Sequence, residues 1–453
     1  MQRVTWRMPA LLASETALIV GAVMLSVYAR LGEWLTVDDL PKTLLIAVVC
    51  QVCLYYAELY DFRVLSDRRE VFVRLLQALG SSSLILAFVY FWFPALVIGR
   101  GVFVLAALCV IVGVGGWRIV YEWLTGRLAH RERILLVGTS PASVALAKEL
   151  LERTDLGVHI VGFIDPDPSR VGQPLLNPGI IGTIDDIPRI IQSLNVDRVV
   201  VSLADARGRL PMDKLLDMKL AGVAFDHLAT VYEEYTGKIA IENLRPSWLI
   251  FSEGFRKSRA LQAVKRATDV VVAGVGFLVT LPIMVIVAIA IKVMSPGPAM
   301  FTQQRVGCNG RLFTLYKFRS MRPNAEAITG AVWATPDDQR VTPVGRFLRR
   351  ARLDELPQFW NVLRGDMSLI GPRPERPEFV SDLTQQIPFY GQRHVVKPGL
   401  TGWAQVQYAY GASVDDALQK LQYDLFYVKN MSIGLDVFII FKTIQTVVLQ
   451  RGH

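Results

Sequence analysis

Four apolar blocks open the chain, at 11–29, 44–60, 75–93 and 102–116. Each is near the roughly 20 residues a helix needs to cross a bilayer, the second and fourth at the short end. The whole chain of 453 residues is 52% hydrophobic and only 20% charged. That excess is gathered in blocks, which points to membrane segments beside globular ones. Glu15 lies inside the first block and has to face neighbouring helices or water. Arg3 and Arg7 precede the first block, "RVLSDRREVFVR" separates the second from the third, and "WRIVYEWLTGRLAHRER" follows the fourth. The connection "GEWLTVDDLP" is acidic. The positive-inside rule therefore puts both ends of a four-helix unit, 1–117, in the cytoplasm. No small-residue cleavage site follows the first block, so it reads as a retained anchor and not a signal peptide.

From Arg131 the pattern changes. "RILLVG", "VHIVGFID", "DRVVVSLAD" and "GVAFDHLA" read as strands, with "ASVALAKELLER" and "IDDIPRIIQSLN" as helices between them. This βαβ series predicts a Rossmann-like parallel sheet over 131–250. Its first turn, "GTSPAS", has Gly138 where a dinucleotide fingerprint begins but Ser140 and Ser143 at the other glycine positions. Asp165 ends the second strand, where an acidic residue meets a ribose. One glycine of three is a weak fingerprint, and a structural or regulatory module stands against nucleotide binding here.

The apolar run at 270–293 is long enough to span a membrane, but its flanks disagree with a span. Arg256, Lys257, Arg259, Lys265 and Arg266 precede it, and Lys292, Arg305, Arg311, Lys317 and Arg319 follow it. Basic flanks on both sides keep both ends in the cytoplasm. Pro282, at the midpoint, removes a backbone hydrogen bond and bends a helix. A re-entrant helix broken at Pro282 satisfies both facts; a kinked true span is the alternative.

The last region, 261–453, reads as α+β. "PAMFTQQRVGCNGRLFTLYKFRSM" is a hairpin with "NG" at its turn. "GRFLRRAR", "PQFWNVLRG", "SVDDALQKLQYDLFYVKN" and "GLDVFIIFKTIQTVVLQ" are helices, the last apolar enough for a membrane surface. Between them Asp354 and Glu355 follow Arg349, Arg350 and Arg352 and precede Pro357. Proline belongs to a first turn, so both carboxylates sit at or beside a helix N-terminus. The helix dipole and the arginines there favour their ionised forms. An ionised carboxylate serves as a nucleophile on phosphorus or a ligand for Mg²⁺. Lys317, Arg319, Arg373 and Lys397 supply phosphate-binding charge nearby in sequence motifs. The net charge of +9 fits anionic headgroups and phosphorylated substrates, not nucleic acid, in a chain this apolar. The four cysteines, Cys50, Cys53, Cys109 and Cys308, form neither a disulfide framework nor a metal-binding set.

"KFRSM", "GRFLRRARLDELPQFWNVLRGDMSLIGPRP" and "KPGLTGWAQV" resemble the signature blocks of the bacterial sugar transferase family, the monotopic phosphoglycosyl transferases. The upstream layout is similar to the large members that start exopolysaccharide, capsule or O-antigen synthesis. The resemblance implies transfer of hexose-1-phosphate from a UDP-sugar, UDP-glucose first and UDP-galactose next, to undecaprenyl phosphate with release of UMP. It implies Asp354 as nucleophile, Glu355 as its partner at an Mg²⁺ site, and phosphate contacts from Lys317, Arg349 and Arg373. It places the family's re-entrant break at Pro282, although many members have serine before that proline and this chain has Leu281. The expected partners are the UDP-sugar, undecaprenyl phosphate, membrane lipids and a second copy of the chain. The expected place is the bacterial cytoplasmic membrane, with the soluble domains facing the cytoplasm. Two rival readings remain: a nucleotide-sugar oxidoreductase or dehydratase using the βαβ domain, and a non-enzymatic scaffold for polysaccharide assembly.

Overall fold

In a computed structural model the described residues are 7–32, 39–57, 59–60, 68–97, 100–128, 131–152, 157–202, 212–241, 252, 254–323, 325, 338–408, 411 and 413–448. Arg3, most of the acidic connection (33–38), the basic stretch 63–67, the end of the third expected strand (203–205) and 242–250 lie outside them. The chain divides into two compact units, Met1–Tyr235 and Thr236–His453.

The first unit begins with four apolar helices: α1 (Arg7–Leu31), α2 (Leu40–Tyr56), α3 (Arg68–Trp92) and α4 (Arg100–Leu128). Within α1, α3 and α4, stretches of 22, 22 and 18 residues are long and apolar enough to cross a membrane, while α2 is shorter at 17. Their contacts include one buried knot of charge. The Arg118 guanidinium lies 2.6 Å from Glu15 Oε1, donates to Glu15 Oε2 at 3.1 Å, and donates to the Leu59 carbonyl at 2.5 Å. Tyr60 donates to Glu15 Oε2 at 2.6 Å. Glu15 thus faces its helical neighbours, as an ionisable group in a membrane segment must. Glu15→Ala leaves Arg118 buried without its carboxylate. Breaking a buried pair from one side costs about 3–5 kcal/mol, so we expect a marked loss of thermal stability in detergent, and a smaller one for Glu15→Gln.

The sheet of the first unit has five parallel strands in the order β3-β2-β1-β4-β5: β1 (Glu132–Val137), β2 (Val158–Ile164), β3 (Ile180–Gly182), β4 (Arg198–Val201) and β5 (Ala224–His227). Helices α5 (Pro141–Glu152), α6 (Ile187–Ser193) and α7 (Met212–Leu220) lie between strands in sequence, and α8 (Leu228–Thr236) follows β5. Alternate residues of β1 enter different cores, Ile134 and Leu136 one, Leu135 and Val137 the other. Both faces are therefore covered, as parallel sheets require. Gly138 takes φ +105° at the first turn, a conformation only glycine adopts freely. Asp165 does not wait for a ribose. It is buried and accepts from Thr139 Oγ1 at 2.5 Å and from Arg170 at 2.6 Å. The expected domain end at 250 also shifts. Ile239 and Ile241 are buried in the core of the second unit, and the Trp403 indole donates to the Gly237 carbonyl at 2.9 Å.

The second unit is organised on α9 (Arg259–Met294), a 36-residue helix capped by the Ser258 hydroxyl. At the rise of an α-helix it is about 54 Å long, well beyond the roughly 30 Å of a hydrocarbon layer. The expected break does not interrupt it: Pro282 lies inside one continuous helix. Proline withdraws only the donor that the Leu278 carbonyl would use, and the Thr280 hydroxyl donates to Gly276 O at 2.7 Å one turn earlier, a back-bond that favours bending. Ending the helix there would orphan several more backbone groups among apolar side chains, which costs more than a bend.

Both ends of α9 are fixed to the same domain. Near its start Arg266 donates to the Val362 and Leu363 carbonyls at 2.7 and 2.8 Å, and Asp269 accepts from Ser368 Oγ and Leu369 N at 3.0 Å each. Near its end Val287 and Ile291 pack with Phe318 and Leu348. Between them Val271, Leu278, Val279 and Ile286 stand exposed.

The expected hairpin is present, β6 (Met300–Val306) antiparallel to β7 (Leu312–Phe318), with Asn309 and Gly310 at φ 54° and 75° in its turn. Then come α10 (Pro343–Arg350), α11 (Gln358–Arg364), β8 (Ser368–Ile370), α12 (Pro377–Gln386), β9 (Gly399–Thr401), α13 (Trp403–Gln407), α14 (Val414–Asn430) and α15 (Ile433–Val448). β8 and β9 pair in parallel, bringing "GPRP" beside "KPGLTG". Their backbones nearly touch: a Cβ on Gly399 would lie 2.1 Å from Gly371 N. Only glycine permits that approach.

Candidate functional site

Asp354 and Glu355 lie in a single 3₁₀ turn, Leu353–Glu355, between α10 and α11. Arg352 enters the turn at φ 55°, a left-handed backbone that arginine rarely adopts. Pro357 stands at the position before the helix that follows. The pair therefore sits beside a helix N-terminus, as its sequence implied.

Their surroundings differ. Asp354 is 7% exposed, and among the described residues its carboxylate receives no hydrogen bond. Burial, then the charge of Glu355, raises its pKa above the usual aspartate value, against the pull of Lys317, Arg349 and Arg352. Glu355 is paired: Arg373 donates to its Oε1 at 2.8 Å, and Arg352 lies 3.7 Å from the same oxygen. Burial works to raise its pKa too, but Arg373 and Arg352, with help from Lys317, outweigh it and the net shift is downward. The arginines thus prevail at Glu355, whereas at Asp354 burial and the charge of Glu355 outweigh them and the net shift is upward. The two neighbours are shifted in opposite directions, Glu355 down and Asp354 up.

Lys317, near the end of β7, faces Phe301 across the hairpin, its ammonium 5.2 Å from the ring centroid. Burial first, then Arg305 and Arg349, lowers its pKa to about 8, while Asp354 and Glu355 oppose the shift. Arg349, on the last turn of α10, donates through Nε to Ser320 Oγ at 2.9 Å. That contact needs α10 pressed against the strand end, and a Cβ on Gly345 would lie 1.9 Å from the Ser320 carbonyl oxygen. Ser320 and Arg305 carry no catalytic signal in sequence; their link to this cluster appears only in the fold, through the Arg349–Ser320 hydrogen bond and the charge of Arg305 near Lys317.

Two expected phosphate binders are elsewhere. Arg319 is buried and donates to Pro296 O at 2.7 Å, Ser295 O at 3.0 Å and Ser295 Oγ at 2.7 Å, closing the end of α9. Arg319→Ala orphans those carbonyls. At about 1.5–3 kcal/mol per hydrogen bond to a charged group, partly offset by water, we expect a loss of about 2–4 kcal/mol. Melting temperature should drop while turnover per folded molecule changes less than about threefold. Lys397 is also away from the pair: its ammonium comes within 3.5 Å of where a Cβ on Gly365 would stand, just beyond the far end of α11. Its motif serves the backbone packing of β8 on β9.

Among the described residues no three or more His, Cys, Asp or Glu gather to hold a metal. An all-protein cage is thus not what these side chains offer. They do suit Mg²⁺, which keeps several waters and takes one or two carboxylates together with substrate phosphates.

Two carboxylates with opposite pKa shifts thus lie among Lys317, Arg349, Arg352 and Arg373, on a domain bearing a long, largely exposed apolar helix. The sequence pattern described as bacterial sugar transferase matches residues 260–450, and one described as CoA-binding domain matches 56–210. Over 233 residues, 51% of this chain and 54% of the relative, the chain is 46% identical to the UDP-N-acetylgalactosamine-undecaprenyl-phosphate N-acetylgalactosaminephosphotransferase of Aeromonas hydrophila. It is 34% identical to the UDP-glucose:undecaprenyl-phosphate glucose-1-phosphate transferase of Xanthomonas campestris pv. campestris over 331 residues, 71% of this chain and 67% of that protein. A protein of the same description from Escherichia coli (strain K12) is 33% identical over 370 residues, 78% and 73% of the two chains. The chain belongs to the bacterial sugar transferase family.

Proposed function

We propose that this protein transfers a sugar-1-phosphate from a UDP-sugar to undecaprenyl phosphate through Asp354. The observation that carries the reading is the contrast within the pair: a buried aspartate that receives no hydrogen bond among the described residues, beside a glutamate tied to Arg373. In the first half-reaction an Asp354 carboxylate oxygen attacks the β-phosphorus. The new O–P bond forms as the bond from that phosphorus to UMP breaks, and UMP leaves with the electron pair. In the second, an oxygen of undecaprenyl phosphate attacks the same phosphorus and Asp354 leaves as a carboxylate. Lys317, Arg349 and Arg373 bind the non-bridging oxygens, where charge builds up. Glu355 and Asp354 are the residues that would hold Mg²⁺, which supplies charge neutralisation for the diphosphate.

Helix α9 also supports a topology. A helix pinned at both ends to one polar domain keeps that domain on one side of the bilayer, which supports a re-entrant seat bent near Pro282. Basic flanks support the cytoplasmic side of the inner membrane for that domain. The relatives' names divide between glucose and N-acetylgalactosamine. The test is UMP release by the full chain with undecaprenyl phosphate and UDP-glucose, UDP-galactose or UDP-N-acetylgalactosamine. One sugar should support turnover; release with none of them overturns the assignment. Asp165, engaged by Thr139 and Arg170, weighs against the oxidoreductase reading.

A further inference from the structure

Arg373 carries a contact that matters to the site, yet its side chain is 43% exposed. A long side chain in the open does not hold one position by itself. What holds it is the backbone beneath. Three consecutive carbonyls of the "GPRPE" turn each receive a donor: Arg373 O from Arg393 Nη2 at 3.1 Å, Pro374 O from Arg305 Nη1 at 2.9 Å, and Glu375 O from Val306 N at 3.0 Å. Two come from the hairpin. The third comes from a buried guanidinium, 5% exposed, that is itself locked: Arg393 Nη2 lies 2.7 Å from Asp424 Oδ2 in an ion pair, and its Nη1 donates to Tyr390 Oη at 2.7 Å. Asp424, in the middle of α14, is 1% exposed.

A buried ion pair is a poor way to gain stability, since desolving two charges offsets most of their attraction and a well-packed apolar pair often does as well. What it gives is direction: a guanidinium has fixed donor vectors, and here one of them ends on the carbonyl of the residue that pairs with Glu355. We propose that Arg393, locked by Asp424 and Tyr390, is a positioning residue that sets the backbone of Arg373 and so keeps its guanidinium on Glu355. The inference rests on the transferase reading above. Arg393 touches neither carboxylate of the site; its effect passes through Arg373 alone.

That restriction makes it testable by a double-mutant cycle in the full chain, because residues acting through one another are not additive. Asp424→Asn keeps the shape and removes the charge that locks Arg393. It should lower kcat by about tenfold with KM for the UDP-sugar within about twofold, and in an Arg373→Ala background the same change should cost less than about twofold. Deuterium exchange over 369–376 should quicken in Asp424→Asn. Should Asp424→Asn not fold, Tyr390→Phe removes a single hydrogen bond and runs the same cycle with a factor of about three. Equal losses in both backgrounds, or unchanged exchange over 369–376, overturn the proposal. Wild-type protein that releases UMP from no UDP-sugar overturns the transferase reading instead, and the exchange measurement still decides whether Asp424 holds the turn.

Discussion

Asp354→Asn is expected to lower turnover by about 10⁴-fold or more, the scale of losing a catalytic nucleophile. The carboxamide fills the same space and cannot attack phosphorus. Stability gives the control. Asp354 titrates above the usual aspartate range in the folded chain because it is buried beside Glu355. A carboxyl whose folded pKa is raised contributes stability below its unfolded pKa and loses it as pH rises through the folded value. At neutral pH its ionised form is therefore a net cost to folding, and Asp354→Asn should melt at the same temperature as wild type or higher. Lost activity with retained stability separates chemistry from misfolding. Intact-protein mass after incubation with UDP-sugar and no lipid acceptor reads the step directly: a sugar-phosphate adduct on wild type, none on Asp354→Asn. Near wild-type turnover by Asp354→Asn would sink the covalent mechanism. Glu355→Gln should be severe but smaller, since Arg373 then loses its anionic partner while the nucleophile remains.

What the sequence revealed and what it hid divide along a physical line. The apolar blocks, the βαβ alternation, the "NG" hairpin and the carboxylate pair were all legible, because each is written in neighbouring residues. Strand β3 escaped because three residues carry no periodicity. Lys317 and Arg319 looked alike, two residues apart in "KFRSM". Had the strand continued, they would share a face. It ends at Phe318, so Arg319 leaves the alternation and turns to the end of α9. Lys397 is not legible in the same way: its motif makes the glycine contacts between β8 and β9, while its ammonium lies by Gly365. Pro282 suggested a break, yet the helix runs through it unbroken, because a single proline removes one backbone hydrogen bond while ending the helix would orphan several. Direction of side chains, set by tertiary contacts, is what a linear reading lacks.

The pH dependence of kcat/KM should fall on its alkaline side near pH 8, and Lys317 is the reason. Its ammonium is partly buried beside Arg305 and Arg349, which lowers its pKa to about 8 despite Asp354 and Glu355. As pH rises through that value Lys317 loses its proton and its charge, and the phosphate oxygens lose a cation. If Lys317 is essential in its charged form, kcat/KM declines about tenfold per pH unit above its pKa. Lys317→Arg separates this limb from every other titration. A guanidinium stays charged throughout the range, so the variant should be slower at pH 7 because the shape is wrong, yet its alkaline limb should vanish up to about pH 10. Lys317→Met should remove both the rate, by about 10²–10³-fold on the scale of losing one charge-stabilising donor, and the limb. The measurement is UMP release from pH 6 to pH 10 at fixed ionic strength, with UDP-sugar well below KM. On the acid side the decline should begin above the ordinary aspartate range, since Asp354 must ionise to attack and its burial resists that. An alkaline limb that stays near pH 8 in Lys317→Arg would assign it to another group and remove Lys317 from the phosphate site.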